Sequence, residues 1–335
     1  MFFRDIYSGM AALIDAAPHG LELVDLRRLS GRELDPLLLE ETVEWSNSLD
    51  WDFSKSAELV RRYADTRSLG GVAALDRGEV AGYGYTVIED HKGLIGDVYV
   101  RPAWRGEQLE VRIFRAMLES LIASPQVRRI ESQLMLVNAE AARQLQRERF
   151  IRLFERILMT LEPETAVPEA RIEGLPCRCE PWSDAYHDAA AGVLALSYLE
   201  HIDSQINDQY RTLPGARRFL YNIIQFPGCG VFFRPASLVA LDPVMGTVIG
   251  ISLASFVSDT AGHITQLCVT PPAKGRGLGF ELLRRSVIGL RANGARRISL
   301  TVTAANTEAV QLYQRFGFQE VRRFFAYVWE GSRGA

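Results

Sequence analysis

One loop in the second half of the chain has the residue types that most directly indicate chemistry. Its three glycines fall at alternate positions, Gly275, Gly277 and Gly279. Such glycines let backbone N–H groups face a ligand without side-chain interference, and the helical apolar pattern that follows would add an N-terminus that attracts anions. Lys274 and Arg276 add positive charge beside them. The loop therefore predicts a site for a pyrophosphate or a similar anion.

Two common nucleotide-binding loops do not fit this segment. A Walker loop needs G-x-x-x-x-G-K-[ST], and the sequence contains no such run. The dinucleotide-binding loop needs G-x-G-x-x-G after the first strand of a β-α-β unit. Here the glycine spacing differs, and the loop follows what we predict to be the fourth strand of its domain. Nicotinamide cofactors are therefore disfavoured.

A second motif lies downstream of the loop and makes the assignment more specific. It has the spacing N-x-x-A-x-x-x-Y-x-x-x-G-F and consists of Asn306, Ala309, Tyr313, Gly317 and Phe318. Together with residues 269–279 it resembles the GCN5-related N-acetyltransferases (GNAT), whose acyl-CoA loop reads [Q/R]-x-x-G-x-[G/A] after a strand ending in V-x-P. Lys274 replaces the usual Gln or Arg but still supplies an amine donor and positive charge.

The resemblance implies that acetyl-CoA (CoA) is the acyl donor and that no metal takes part. The strand before the loop should separate from its neighbour and pair with the pantetheine arm through its backbone. Asn306 should hydrogen-bond the cofactor near the thioester. The residues expected to bind the cofactor are Leu267, Cys268, Val269, Lys274, Gly275, Arg276, Gly277, Leu278, Gly279, Phe280 and Asn306.

Two residues are the candidates for proton transfer. The resemblance implies that Tyr313 is the general acid that protonates the departing thiolate, although its helical spacing also fits a core position. His263 lies near the start of the fourth strand, where the family base is often Glu, and the intrinsic pKa of histidine suits a base. A water molecule as base and a purely packing role for His263 remain alternatives. Direct transfer needs no covalent nucleophile, so we expect only the backbone of Cys268 to take part.

Several other residues have two open interpretations. Asp203, Asp208 and Tyr210 would shape the acceptor pocket or form a solvated helix face. Arg284 and Arg285 would reach the CoA phosphates or face solvent.

The glycine loop belongs to a repeat. Residues 97–110 match residues 266–279 at an offset of 169, and Asn138 matches Asn306 at an offset of 168. A proline-containing linker at residues 162–168 predicts a boundary between domains 1–165 and 166–335. We predict an α/β fold with two tandem GNAT-like acyl-CoA N-acyltransferase domains, each a mixed, mostly antiparallel sheet flanked by helices.

The hydrophobic pattern of the second copy predicts its elements. The predicted strands cover residues 178–182, 231–241, 247–257, 263–270, 297–303 and 318–329. The predicted helices cover residues 183–199, 278–293 and 307–316, and residues 204–225 form one further helix or a pair of helices, interrupted at Pro214-Gly215.

The first copy lacks the residues that the second copy would use. The replacements are Glu107 for Arg276, Gln108 for Gly277, Glu110 for Gly279, Leu145 for Tyr313 and Arg149 for Gly317. A carboxylate beside a pyrophosphate is repulsive. We therefore predict that residues 1–165 form a degenerate, non-catalytic domain and that residues 166–335 form the catalytic one.

Composition excludes several classes of protein. The 335 residues are 47% hydrophobic with a formal charge of -3, so we expect no nucleic-acid or membrane partner. No apolar run suits a membrane span, and residues 1–15 do not resemble a signal peptide. Four cysteines form no disulfide scaffold, and Cys177 and Cys179 lack the second pair of ligands that a zinc site needs. We expect a reducing, cytoplasmic environment.

The sequence thus predicts an N-acetyltransferase that moves an acetyl group from acetyl-CoA to a primary amine by direct attack, active in the C-terminal domain. The tandem architecture is also similar to that of the mycothiol synthase family. The acceptor stays open among small amines, aminoglycosides and peptide or protein N-termini, as does the oligomeric state. The alternatives are a non-catalytic acyl-CoA sensor or regulatory module and a structural partner protein.

Overall fold

In the computed structural model, the chain forms two compact units. The residues that the structure describes are 20–105, 108–137, 139–148, 151–170, 177–226 and 228–331. Unit 1 contains the described residues of 1–43, 57–152 and 329–335. Unit 2 contains those of 44–56 and 153–328.

Unit 1 is built mainly from the first sequence copy. Its elements, two of which extend into residues 44–56, are β1 (Leu21–Asp25), α1 (Gly31–Leu49), α2 (Ser54–Asp65), β2 (Gly70–Asp76), β3 (Glu79–Glu89), β4 (Lys92–Val100), α3 (Leu109–Ile122), β5 (Arg129–Leu134) and α4 (Ala139–Glu148). The strands are ordered β1–β2–β3–β4–β5. Strands β4 and β5 are parallel, and the other neighbours are antiparallel.

Unit 2 contains the elements of the second copy and one strand that precedes the linker. These elements are β6 (Arg152–Leu161), β7 (Arg178–Pro181), α5 (His187–Ser197), α6 (Asp203–Ile206), α7 (Leu213–Gln225), β8 (Val231–Phe232), β9 (Leu238–Leu241), β10 (Val248–Phe256), β11 (Ala261–Val269), α8 (Leu278–Ala292), β12 (Arg297–Thr303), α9 (Thr307–Phe316) and β13 (Gln319–Glu330). The strand order is β13–β6–β12–β11–β10–β9–β7, with β8 beside β10.

The predicted fold class is confirmed. Each unit has a mixed sheet in which one pair is parallel, β4 with β5 in unit 1 and β11 with β12 in unit 2. The other described registers are antiparallel. The boundary between the compact units differs from the one predicted at residue 165. Strand β6 precedes the linker but belongs mostly to unit 2, because it pairs with β12 from Ile298↔Leu161 to Thr303↔Arg156.

Two predictions of local structure were wrong because of proline. Residues 231–241 do not form one strand, since a 3-10 turn at Arg234–Ala236 separates β8 from β9 and Pro235 has no N–H for a ladder. Pro214 does not interrupt a helix but lies in the first turn of α7, where its missing N–H has no intrahelical partner anyway. The side chain of Thr212 caps this turn by accepting from the N–H of Gly215 at 3.1 Å.

The sheet of unit 2 is covered on both faces. One face packs against α8 and α9 through buried side chains that include Leu283, Leu290 and Phe316. The opposite face packs against α5 and α7 through side chains that include Leu194 and Leu220. Burial of this apolar surface is the main favourable contribution to folding, and it holds the strand ends in place. In the part of the chain that the structure describes, no helix is both long and apolar enough to cross a membrane; residues 1–15 lie outside that part.

Truncation of one buried side chain on α8 should destabilise unit 2 measurably. Leu290 is 0% exposed, so Leu290→Ala should lower the free energy of unfolding by about 2–5 kcal/mol through lost burial and a residual cavity. Ile288 on the same helix is 42% exposed, and Ile288→Ala should cost less than about 1 kcal/mol. Denaturant unfolding measures both values, and equal losses would contradict the assigned burial.

Candidate functional site

The parallel pairing of β11 with β12 ends within the sheet. Paired residues run from Ala261↔Arg297 to Ile264↔Leu300, whereas β11 continues to Val269. At the same place β11 carries a bulge, since Leu253 pairs with Gln266 and Ala254 pairs with Ile264. The two strands therefore present unpaired backbone to each other beyond Ile264, which is the separation expected from the sequence.

The register of β11 shows which backbone groups face this opening. The N–H of Thr270 donates to the carbonyl of Ile249 at 2.9 Å, and Cys268 lies opposite Ile251 on β10. Because hydrogen-bonded positions alternate along an antiparallel pair, the backbone groups of Leu267 and Val269 face away from β10. They are therefore free to pair with an extended ligand, as the sequence predicts.

The glycine loop joins the end of β11 to α8. Gly275 and Gly277 have φ values of 74° and 80°, a conformation that glycine adopts without strain, and Gly277 is the N-cap of α8. A Cβ added at Gly275 would meet nothing within 4 Å. Several N–H groups at the start of α8 have no intrahelical partner, so the loop offers donors to an anion.

The positive charges near the loop have different partners. Lys274 and Arg276 are exposed and form no ion pair or hydrogen bond with the residues that the structure describes. Arg284 and Arg285 instead bind the buried carboxylate of Glu281, each at 2.7 Å. Lys274 and Arg276 are thus the loop cations available to a ligand, whereas Arg284 and Arg285 stabilise the first turns of α8.

The second motif lies at the same edge of the sheet as the loop, because the carboxyl ends of two parallel strands meet at one edge. Asn306 follows β12 and caps α9, accepting from the N–H of Ala309 at 3.3 Å. Its amide nitrogen lies 3.3 Å from Nε2 of His201. No sequence motif marks His201.

Tyr313 is buried on α9 and packs against Phe318. Burial raises the pKa of the Tyr313 phenol well above its ordinary value, and the negative charge of Asp203 raises it further, while Arg156 lowers it. The phenol is therefore protonated at neutral pH, as a general acid must be before it donates.

His263 lies at the paired end of β11, on the closed side of the bulge. It is 5% exposed, its Nδ1 is 2.8 Å from Oγ of Ser299, and its ring packs against Trp51 with 5.1 Å between centroids. Burial and the nearby Arg156 lower its pKa to about 4. These features disfavour His263 as the general base, since a buried, weakly basic ring accepts a proton poorly at neutral pH.

Two of the predicted pocket residues join a buried polar network. Oγ1 of Thr303 donates to Oδ1 of Asp203, and Nη1 of Arg156 is 3.4 Å from the same oxygen. The ring of Tyr210 stacks on that of Tyr198 with centroids 4.4 Å apart. Asp203 is thus not part of a solvated helix face. Asp208 lies in a neighbouring short 3-10 helix.

The network also contains residues that sequence reasoning missed. Gln266 is 5% exposed, accepts from the hydroxyl of Tyr210 at 3.3 Å and donates to that of Tyr198. Arg156 lies on β6, in the first sequence copy, and donates to Thr303 at 3.0 Å. No motif marks Arg156, because only the pairing of β6 with β12 brings it to unit 2.

The cysteines do not suggest a metal or a nucleophile. Burial raises the pKa of the Cys268 thiol to about 12, so it is not a thiolate at neutral pH. The sulfurs of Cys177 and Cys179 are 4.0 Å apart, and both residues carry free thiols. Within the described residues, no group of three or more His, Cys, Asp or Glu side chains could hold a metal ion.

Unit 1 retains the backbone of the site but has different side chains. Its β3–β4 pair has a bulge at Gly96, and β4 pairs with β5 only as far as Ile95↔Ser132. Gln108 holds the N-cap position of α3 with φ 58°, the left-handed conformation that Gly277 adopts in unit 2, and Glu110 lies in the first turn. Glu107, Asn138 and Arg149 and the side chain of Leu145 lie outside the described residues.

A buried acid takes the place of Gln266 in unit 1. Asp97 is the repeat equivalent of Gln266, and burial raises the pKa of its carboxyl to about 6. Tyr83 donates to Oε2 of Glu41 at 2.8 Å beside it. The two copies therefore share strand geometry but differ in the chemistry of the pocket.

The burial of His263 predicts a pH dependence of stability. The pKa of His263 is about 4 in the folded chain, below the ordinary 6.5. Between these two pH values the unfolded chain therefore binds a proton at His263 that the folded chain does not bind. Stability should be fully present above pH 6.5 and fall by roughly 3 kcal/mol as the pH approaches 4. His263→Gln should flatten this part of the profile, and His187→Gln, at a partly exposed site, should not. Denaturant unfolding across this range tests it; an unchanged slope in His263→Gln would contradict the assignment.

Comparison with known proteins identifies the family of this chain. The family profile "Acetyltransferase (GNAT) family" matches residues 34–150 and 197–318. A mycothiol acetyltransferase of Thermobispora bispora is 25% identical over 302 residues, which cover 88% of this chain and 95% of that protein. An N-alpha-acetyltransferase MAK3 of Arabidopsis thaliana is 33% identical over 70 residues, 21% of this chain and 37% of that protein. A mycothiol acetyltransferase of Propionibacterium freudenreichii matches over 32% of its own length. The chain therefore spans only about a third of each of these two relatives.

Solved structures show the same fold. A GCN5-related N-acetyltransferase from Sphaerobacter thermophilus superposes with a TM-score of 0.65 at 17% identity, covering 93% of this chain and 96% of that one. A tandem GNAT protein from the clavulanic acid biosynthesis pathway has a TM-score of 0.60 at 15% identity, covering 94% and 100%. With two matched regions that together span most of the chain, the protein belongs to the GNAT acetyltransferase family and has its tandem architecture.

Proposed function

We propose that unit 2 is an acetyl-CoA-dependent N-acetyltransferase that acylates a primary amine by direct attack, and that unit 1 does not bind acyl-CoA productively. The observation that carries the proposal is the opening between β11 and β12 with the glycine loop and Asn306 at one edge. The names of the relatives, mycothiol acetyltransferase and N-alpha-acetyltransferase, support an amine acceptor on a small molecule or a peptide.

The residues around the opening fit the cofactor. The backbone of Leu267 and Val269 would pair with the amide-containing pantetheine arm, and the loop N–H groups would hold the pyrophosphate. Open space above Gly275 leaves room for phosphate oxygens, which a side chain there would occupy. Lys274 and Arg276 would add charge-assisted contacts. Acetyl-CoA would supply the acetyl group as a thioester; the chain would bind, orient and move protons.

Tyr313 would donate the proton that the leaving thiolate needs. Its high pKa keeps the phenol protonated at neutral pH, so the proton is present on Tyr313 when the thiolate begins to leave. Nothing in the described part of the chain hydrogen-bonds its hydroxyl, so the proton is available to a ligand. A non-catalytic acyl-CoA sensor would bind CoA equally well but would have no need for this acid.

Gly277→Glu should weaken CoA binding by more than tenfold, about 1.4 kcal/mol, because it places a carboxylate at the pyrophosphate site. Calorimetric titration with CoA measures the affinity. Gly246→Glu is the matched control, since Gly246 also has a positive φ, 66°, and nothing within 4 Å of an added Cβ, but it lies in the β9–β10 turn. Undiminished binding in Gly277→Glu, or equal losses in both variants, would refute the loop assignment.

Tyr313→Phe should lower kcat for thiol release by about 10²–10⁴-fold and leave CoA affinity unchanged, because only proton donation is lost. Thiol release from acetyl-CoA is followed with glucosamine, lysine and an alanyl dipeptide as acceptors. Unchanged turnover in the variant would remove Tyr313 as the acid. Tight CoA binding by the wild type with no thiol release for any amine would favour the sensor.

A further inference from the structure

We propose that Glu41 and Asp97 form a buried carboxyl pair that shares one proton at neutral pH and makes the stability of unit 1 sensitive to pH, with unit 1 most stable in acid. The inference concerns the first sequence copy and does not rest on the proposed activity of unit 2. It is carried by a contact that two ionised carboxylates cannot make, because the side chains of Glu41 and Asp97 hydrogen-bond each other inside the protein.

The two carboxyls come from elements that are far apart in the chain. Glu41 lies on α1, and Asp97 lies on β4 directly after the bulge at Gly96, opposite Tyr85 of β3. Glu41 is 0% exposed and Asp97 is 5% exposed. Water therefore cannot solvate a charge on either carboxyl as it does in the unfolded chain.

The contact between the two side chains requires a proton. An ionised carboxylate has only acceptor sites, so a hydrogen bond between two carboxyls needs a proton on one of them. Because either oxygen pair can hold that proton, it belongs to the pair and not to one residue.

Two further contacts stabilise a single negative charge on the pair. The hydroxyl of Tyr83 donates to Oε2 of Glu41 at 2.8 Å, and the N–H of Val98 donates to Oδ1 of Asp97 at 2.7 Å. A second negative charge would be repelled by the first at short range in a poorly solvated site. The pair therefore holds its last proton at neutral pH.

The groups that face the pair from β3 are neutral phenols. Burial raises the pKa of Tyr83, and the charges of Glu41 and Asp97 raise it further. Burial also raises the pKa of Tyr85, followed by the charges of Asp97 and Glu41. Both phenols are protonated at neutral pH, so they contribute dipoles and a hydrogen bond but no positive charge. For Asp97 itself, burial raises the pKa to about 6, although the hydrogen bonds from Glu41 and Val98 lower it.

The direction of the pH effect follows from the raised pKa of Asp97. Its ordinary value is 3.8, so between pH 3.8 and about 6 the folded chain keeps a proton that the unfolded chain has lost. The stability that this proton contributes is fully present below pH 3.8 and is lost as the pH rises through 6. A shift of about two pKa units corresponds to a change of about 100-fold in the opening equilibrium of unit 1.

The buried histidine of unit 2 responds in the opposite direction. Burial and Arg156 lower the pKa of His263 to about 4, so its contribution to stability falls as the pH falls. Acidification from neutral pH should therefore stabilise unit 1 through its carboxyl pair and destabilise unit 2 through its histidine. Unfolding of the whole chain would add the two effects, so the test has to read each unit separately.

The first test follows the two carboxyls directly. In the full chain with ¹³C-labelled Asp and Glu, the carboxyl signal of Asp97 should titrate with a midpoint near pH 6, and the signal of Glu41 should shift at the same midpoint because the two groups share a proton. Asp97→Asn and Glu41→Gln assign the two signals. Asp35→Asn is the matched control on α1, since Asp35 is 37% exposed and pairs with Arg61, and it should leave both signals unchanged.

The second test follows the stability of unit 1. Protection factors from hydrogen exchange in β3 and β4 should fall roughly 50-fold between pH 4 and pH 8. The double substitution Glu41→Gln and Asp97→Asn keeps the size of both side chains and removes both ionisable groups, so this fall should disappear. The same double variant should leave the pH dependence of β11 and α8 in unit 2 unchanged, and Asp35→Asn should retain the wild-type fall.

The outcomes decide the proposal in either direction. A shared midpoint near pH 6 in the wild type, together with a flat unit 1 profile in the double variant, supports it. Two independent midpoints near the ordinary carboxyl value of about 4 would overturn it, as would a double variant that keeps the wild-type fall. If the double variant does not fold, the titration of the wild-type carboxyls decides alone.

Discussion

The arrangement of unit 2 depends on one break in backbone pairing, where β11 and β12 separate beyond Ile264 and Leu300. Backbone N–H and C=O groups are costly to leave unpaired when buried, so an opening within a sheet must be satisfied by water or by a ligand. The bulge at Thr265 produces the change in direction, and its hydroxyl donates to the carbonyl of Leu253 at 3.0 Å. The two helices that follow these strands then begin at the same edge, which directs both helix N-termini to one place.

The site also contains a buried ion pair. Arg156 and Asp203 are largely shielded from water, with side chains 12% and 15% exposed, and each is hydrogen-bonded to Thr303. Such a pair is tolerated because both charges have partners, and removing either partner would leave an uncompensated charge. The charges of Asp203 and Arg156 also act on the phenol of Tyr313, the first raising and the second lowering its pKa.

The two copies show which features of the fold are independent of chemistry. Both have a bulge in the strand before the loop and a parallel pair that ends early. Gln108 adopts the left-handed conformation that Gly277 adopts without cost, so the backbone path persists after the glycine is lost. Packing against α3 and α8 explains this persistence, because shifting a strand end would open cavities in the core. The side chains that face a ligand are under no such constraint.

The sequence by itself determined the local features of this protein. The repeat, the tandem α/β fold, the glycine loop and most element boundaries of the second copy follow from periodicity, glycine positions and motif spacing, which are local in the chain. The predictions at Pro214 and Pro235 were wrong because proline can lie in the first turn of a helix or end a strand, and the local sequence does not distinguish the two. Only the tertiary structure decided which polar side chains meet. His201, Gln266 and Arg156 have no motif, since the turn between α5 and α6, strand β11 and strand β6 are far apart in sequence and are brought together by sheet order and burial. For the same reason only the structure shows that His263, a candidate base for which the sequence left a packing role open, packs against Trp51 in a buried site that lowers the pKa of its ring.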